Sequence, residues 1–287
     1  TLFSTELSDH AGAMGPALAV AVEHANYLAT SLMLAPPPWV PTARNRRFRH
    51  AVGVIDELVL GIIAERRRSG EDHPDLLGML MAATVEGDPS AGMSDHELRD
   101  EVATLVLAGH ETTANALTWT FVLLAQHPEV EARVVEEIQR VCGDRPPTFE
   151  DLAALTYVGQ VIDEAMRLYP PAWVFERQAI HDVELGEYAI PRGTLVAISP
   201  WTLHRHPGHW PRPLRFDPER FSEAAKAARP RYTYLPFGGG PRQCIGTNFA
   251  LIEAKLVLAS LLARYRLELL SGQDLRPDPA VTLRPRQ

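Results

Sequence analysis

The chain has 287 residues, a formal net charge of −8, 46% hydrophobic and 22% charged residues, and two cysteines. The apolar share is ample for a buried core, and the acidic balance gives no overall attraction to nucleic acid or to an anionic membrane. Two distant cysteines argue against a disulfide framework and fit a reducing, cytoplasmic compartment, and no run of about 18 apolar residues marks a membrane span. Residues Thr1 to Glu6 show neither a basic start nor an apolar stretch, so no signal peptide is expected. The chain does not start with Met, which suggests that something precedes it. No repeat or low-complexity linker divides it, and one domain over residues 1–287 is expected.

In chain order, an Ala-rich helix is predicted from Asp9 to Leu34, broken by Pro36, Pro37, Pro38 and Pro41 around Trp39. A second helix runs from Thr42 to Ser69. Its basic start (Arg44, Arg46, Arg47, Arg49) and end (Arg66, Arg67, Arg68) read as a solvated face. A short helix near Pro74 to Ala83 and a loop from Glu86 to Gly92 follow. Ser94-Asp95-His96-Glu97 is a capping box that opens the longest helix, ending at Gln126 before His127-Pro128. Its centre, Ala108-Gly109-His110-Glu111-Thr112-Thr113, sets small side chains on one face. Such a stripe serves either a large flat ligand or close helix packing, and glycine mid-helix costs about 1 kcal/mol against alanine. A threonine hydroxyl there can bond the carbonyl one turn back and bend the helix.

The next helix spans Pro128 to Val141, with Cys142 read as structural. Another runs from Tyr157 to Tyr169, its buried face marked by Val158, Val161, Ile162, Ala165 and Tyr169. Glu164 and Arg167, three apart, are neighbours at the margin of that face. Pro170-Pro171 stops the helix, and strands joined by Gly and Pro-Arg-Gly turns follow, with Arg177 just ahead of them. His204, His206 and His209 form a loop cluster among prolines; a metal site is conceivable there. Phe237 to Gly246 reads Phe-Gly-Gly-Gly-Pro-Arg-Gln-Cys-Ile-Gly and holds Cys244 just before a helix that begins at Thr247, with apolar Phe249, Ile252, Leu256 and Leu262. Consecutive glycines permit positive φ and close approach to something flat, and the helix N-terminus suits an anionic sulfur. A lone cysteine so framed is a ligand or a nucleophile; a buried structural role is the alternative. A strand near Tyr265 to Leu270 and a proline-rich tail complete the chain.

The Phe237–Gly246 stretch resembles the heme-ligand loop of the cytochrome P450 family, Phe-x-x-Gly-x-Arg-x-Cys-x-Gly, with Phe237, Gly240, Arg242, Cys244 and Gly246 in the fixed positions. Ala108 to Thr113 resembles its oxygen-activation motif, and Glu164-x-x-Arg167 with Arg220 of Pro218-Glu219-Arg220-Phe221 resembles its buried charge network. The resemblance implies a mainly α heme-thiolate fold with a small β region, and heme b as cofactor. Cys244 would be the axial thiolate, which favours O–O cleavage. Zinc, the competing metal, wants about four N/S ligands. Phe237, Gly238, Gly246, Ala108 and Gly109 would contact the cofactor, and Arg242 and Arg177 would hold its propionates. Thr112 and Glu111 would deliver protons for oxygen activation, while Glu164, Arg167 and Arg220 would fix the ligand side of the core.

Residues Ala172 to Val174 would line the pocket, and the first two helices with their proline loop would cover the substrate channel. The implied activity is insertion of one oxygen atom from O2 into an apolar small molecule. Electrons would come from NAD(P)H through a ferredoxin-like or flavin-containing partner, since no Gly-x-Gly-x-x-Gly after a strand appears. A peroxide-driven peroxygenase and a non-catalytic heme-binding remnant are the alternatives. The family has several helices and a sheet ahead of the segment like Thr1-Leu2-Phe3, so the resemblance also implies an absent N-terminal part.

Overall fold

The computed structural model describes residues 8–31, 35–70, 73–85 and 88–286. Contacts group the chain into two compact units, Thr1–His110 and Glu111–Gln287. The boundary falls inside the longest helix.

The first unit pairs α1 (Ser8–Thr30) with α2 (Ala43–Ser69) and adds α3 (Leu76–Ala82), the short strands β1 (Thr84–Val85) and β2 (Asp88–Gly92), and the start of α4 (Asp95–Gln126). The predicted end of the first helix at Leu34 lies outside the described residues. Leu18 of α1, Ile55, Val59 and Ile63 of α2, and Leu98 and Val102 of α4 share one aliphatic core. Thr42 caps α2 by accepting from the Asn45 amide at 3.0 Å, and Gly70 closes it at φ 62°. Buried Asn45 donates to the carbonyls of Pro37 (2.8 Å) and Val40 (2.9 Å), tying the proline loop to the helix start.

Two expectations change in this unit. Arg66 is no solvated residue: it follows Val59 and Ile63 on the inward face of α2. There it donates to both carboxylate oxygens of Asp75, at 3.0 and 2.8 Å. Asp75 in turn caps α3 by accepting from the Gly78 amide at 2.8 Å. The expected loop from Glu86 to Gly92 is largely strand, since β2 pairs antiparallel with β1; its residues 86–87 lie outside the described ones. The capping box at α4 is formed, with Ser94 N–H donating to Glu97 at 2.8 Å and Glu97 N–H to Ser94 at 3.3 Å.

In the second unit α5 (Pro128–Cys142), α6 (Thr156–Leu168) and α9 (Thr247–Leu262) pack around Val134, Ile138, Val158, Val161, Ile162 and Leu258. Buried Glu137 of α5 accepts from the amides of Tyr157 (3.0 Å) and Val158 (2.9 Å), satisfying two free N–H groups at the start of α6. Cys142 is buried in this unit, and burial pushes its thiol up. Strand β3 (Phe175–Gln178) pairs antiparallel with β6 (Leu195–Ile198), and between them β4 (Val183–Leu185) and β5 (Tyr188–Ile190) form a hairpin at Gly186, φ 62°. After α7 (Pro200–Leu203) come a 3₁₀ turn at Pro218–Phe221 and the short α8 (Glu223–Ala228). The chain ends in an antiparallel hairpin of β7 (Pro277–Pro279) and β8 (Leu283–Pro285).

Two further expectations fail here. Residues 265–270 are irregular: Tyr265 is 61% and Leu270 73% exposed, and among the described residues no strand pairs with them. The proline-rich tail forms the β7–β8 hairpin. In α9 the buried face is Ala254, Leu258, Ala259 and Leu262, so of the four predicted apolar positions only Leu262 is buried. The helix is apolar on most sides, and spacing alone could not select its inner face. Among the described residues no helix is long and apolar enough to cross a membrane.

Candidate active site

The centre of α4 carries the predicted stripe. A Cβ added at Gly109 would meet no heavy atom within 4 Å, so among the described residues no close helix contact requires glycine there. Glu111 and Thr112 are half-buried. The Glu111 carboxylate accepts from the Thr282 hydroxyl at 2.7 Å, and Asn115, one turn on along α4, donates to the same hydroxyl oxygen at 3.0 Å. Trp119 Nε1 donates to the Leu283 carbonyl at 3.1 Å. The start of β8 is thus fastened to α4 at three successive positions, with Thr282 buried. Sequence reading missed Thr282; the only signal was Asn115 at i+4 from Glu111, on the same face.

The Phe237–Gly246 loop is shaped by backbone. Gly238 and Gly240 have φ of 70° and 72°, a region that strains other residues, and a Cβ at either would point into open space. Cys244 N–H donates to the Phe237 carbonyl at 2.9 Å, and the Thr247 hydroxyl to the Cys244 carbonyl at 2.8 Å. These bonds close the loop behind the sulfur and leave the thiol exposed. Phe237 packs on the core, whereas Ile245 (89%) and Phe249 (43%) show apolar side chains to solvent. A Cβ added at Gly246 would stand 3.8 Å from the Cys244 sulfur, in ordinary contact with it. Arg242 is exposed on a 3₁₀ turn, Gly240–Arg242. Arg177 is exposed on β3, where its Nη1 donates to the Glu176 carbonyl at 2.8 Å.

Glu164, Arg167 and Arg220 do come together. Arg167, fully buried, donates to both Glu164 oxygens at 2.6 and 2.8 Å, and to the carbonyls of His204 (2.8 Å), Pro213 (2.7 Å) and Arg215 (3.2 Å). Glu164 also accepts from the Asp217 amide at 2.9 Å. Arg220 Nε stands 3.4 Å from Glu164 as an ion pair without hydrogen-bond geometry, while its Nη2 donates to the Arg212 carbonyl at 3.0 Å. Burial pushes the Glu164 carboxyl up, and Arg167, the Asp217 amide and Arg220 pull it back. Of the histidine cluster, His206 and His209 lie 5.2 Å apart between ring centres, while His204 is wholly buried. Among the described residues no group of three or more His, Cys, Asp or Glu could hold a metal ion.

A single exposed sulfur on a glycine-bared face, with apolar Ile245 and Phe249 and the cation Arg242 close in sequence, does not suit zinc, which needs about four protein ligands. It does fit a flat metallo-macrocycle that brings its own nitrogens and carries anionic groups. The sequence profile of cytochrome P450 matches residues 2–286. The chain belongs to the cytochrome P450 family. It is 41% identical to the cyclooctatin synthase of Streptomyces melanosporofaciens over 98% of this chain and 61% of that protein. It is 44% identical to the cyclooctat-9-en-7-ol 5-monooxygenase of the same organism over 85% of this chain and 51% of that one. The crystal structure of the cytochrome P450DA heme domain superposes with a TM-score of 0.85 at 33% identity, covering 95% of this chain and 59% of that chain. The fold is therefore the mainly helical P450 fold with small sheets, and the chain spans between half and two thirds of the length of these P450 relatives.

Proposed function

We propose that the protein is a heme-thiolate monooxygenase acting on an apolar organic molecule. The exposed sulfur of Cys244, framed by Gly238, Gly240 and Gly246, carries that reading. When bound, heme b with one thiolate ligand supplies reductive activation of dioxygen. Cys244 gives the sulfur, and Ile245, Phe249 and the glycine face give an apolar bed. Arg242 and Arg177 supply cations for the propionates through charge-assisted hydrogen bonds. The small side chains at Ala108 and Gly109 leave room beside α4, and Thr112 holds a proton at its hydroxyl for transfer. Glu111 is adjacent in sequence but about 100° round the helix, so it exchanges protons with that hydroxyl through water.

Relatives named cyclooctat-9-en-7-ol 5-monooxygenase and pentalenene oxygenase support an apolar substrate. Electrons come from NAD(P)H through a ferredoxin-like or flavin-containing donor; residues 1–287 show no Gly-x-Gly-x-x-Gly after a strand. Two free cysteines, one of them exposed, fit a cytoplasmic location.

The test supplies the purified protein with heme, ¹⁸O2, NAD(P)H, ferredoxin and its reductase, using cyclooctat-9-en-7-ol and pentalenene as probes. One ¹⁸O atom per product molecule is expected. Thr112→Ala should keep consuming NAD(P)H while product per NAD(P)H falls about tenfold or more. Product formed only with added hydrogen peroxide, and unaffected by Thr112→Ala, would identify a peroxygenase instead.

A further inference from the structure

His204 is a buried titratable group that the proposed chemistry does not use. It caps the C-terminal end of α7 and is 0% exposed. Its Nε2 accepts from the Leu235 amide at 2.8 Å, which puts the hydrogen of the neutral ring on Nδ1, a buried atom with no hydrogen-bond partner among the described residues. Its carbonyl receives Arg167 Nη1 at 2.8 Å. One residue therefore joins the Glu164–Arg167 pair by its main chain to the approach to the cysteine loop by its ring.

The connection continues without a gap. The Leu235 carbonyl accepts from the Gly238 amide at 3.2 Å, which forms the turn that presents Phe237, and the Phe237 carbonyl accepts from Cys244 N–H at 2.9 Å. A second bolt lies beside the first, since the Tyr234 hydroxyl donates to the Asp163 carbonyl of α6 at 2.9 Å. The imidazole is walled by Tyr234 (ring centres 5.2 Å apart) and Trp210 (6.5 Å). The charged groups facing it are Arg167 and Arg205, and both oppose a positive ring. Burial, then Arg167, lowers its pKa to about 3, so it stays an acceptor throughout the neutral range.

We propose that His204 is a positioning residue for the Cys244 loop: its Nε2 clamps the Leu235 amide and so transmits the fixed geometry of the Glu164–Arg167 pair to the carbonyl that holds the Cys244 backbone. This rests on the reading of Cys244 as the heme ligand. An irregular segment has no sheet or helix partner for the Leu235 N–H, and a buried donor left without an acceptor is costly. A neutral imidazole supplies that acceptor, whereas a protonated one cannot.

The test uses the heme-loaded protein and compares wild type with His204→Phe, which keeps the ring volume without the acceptor, and His204→Gln, which restores a carbonyl acceptor. In His204→Phe, hydrogen exchange of the Leu235 amide should rise about tenfold or more. The share of reduced protein showing the thiolate–CO band should fall as well, and His204→Gln should recover both. Wild-type exchange and spectrum in His204→Phe would overturn the clamp, as would faster exchange with an unchanged spectrum. Should His204→Phe fail to fold, ¹⁵N spectra of wild-type imidazole decide: Nδ1–H with an unprotonated Nε2 at neutral pH supports the clamp, and Nε2–H overturns it. A Cys244→Ser protein that kept the thiolate–CO band would instead sink the ligand assignment and leave the exchange result standing.

Discussion

Two guanidinium groups in the same compact unit, those of Arg167 and Arg242, stand in opposite surroundings. Arg167 is fully buried and donates to a carboxylate and three carbonyls. Arg242 is exposed on a 3₁₀ turn at the cysteine loop. The same contrast divides their neighbourhoods. Around α6, Glu164, Glu137 and Tyr234 all have hydrogen-bond partners within the fold. Around Cys244 the backbone bonds close the loop from behind while the thiol, Ile245 and Phe249 face outward. A region whose buried carboxylates are held by partners within the fold fixes geometry; a region that turns its sulfur, apolar groups and cations outward is available to a ligand.

The largest expected effect breaks the comparison on the buried side. Glu164→Ala leaves Arg167 uncompensated in the interior, a loss of about 3–5 kcal/mol, which should lower the melting temperature by roughly 6–20 °C. Arg242→Ala should change stability by no more than about 0.5 kcal/mol before ligand is added. Equal melting temperatures for the two variants would erase the distinction.

A pH titration sharpens it. Folded His204 has a pKa of about 3 against an ordinary 6.5, so between those values the unfolded chain binds the extra proton. Its contribution to stability is complete above pH 6.5 and is lost as pH falls towards 3. Denaturation at successive pH values should show up to about 1.4 kcal/mol lost per pH unit from this group. His204→Gln should flatten that slope; an unchanged slope would assign it to other groups.

On the exposed side, Arg242→Ala should raise the heme dissociation constant about tenfold, as expected for one charge-assisted bond. Heme titration followed by absorbance measures it, and an unchanged constant would return Arg242 to an ordinary surface residue. The smallest effect is expected at Thr282→Val, which keeps the side-chain shape but removes the hydroxyl shared by Glu111 and Asn115. Product per NAD(P)H should drop about two- to threefold, the scale of one net hydrogen bond. No change would make Thr282 a packing residue alone.

Local chemistry was legible in the sequence. Ser94 with Glu97, Thr42 before α2, and Pro128 at the start of α5 mark helix ends because capping and proline geometry act within four residues. Glu164 and Arg167 could be paired for the same reason. Arg220 was added only through the resemblance, since no spacing rule links it to a helix 53 residues earlier. Bonds between distant residues left no periodic signal: Thr282 to Glu111, Glu137 to the start of α6, and Arg66 to Asp75 across a turn. The irregular 265–270 segment shows the converse, because an apolar stretch becomes a strand only where another strand meets it.

The claim that Cys244 is the heme ligand is tested most directly by the absorption spectrum of the reduced, CO-saturated protein, recorded for wild type and Cys244→Ser after heme loading. The account requires the red-shifted thiolate band in wild type and its loss in Cys244→Ser, with far-ultraviolet circular dichroism essentially the same in both. A Cys244→Ser protein that retains the band would contradict it.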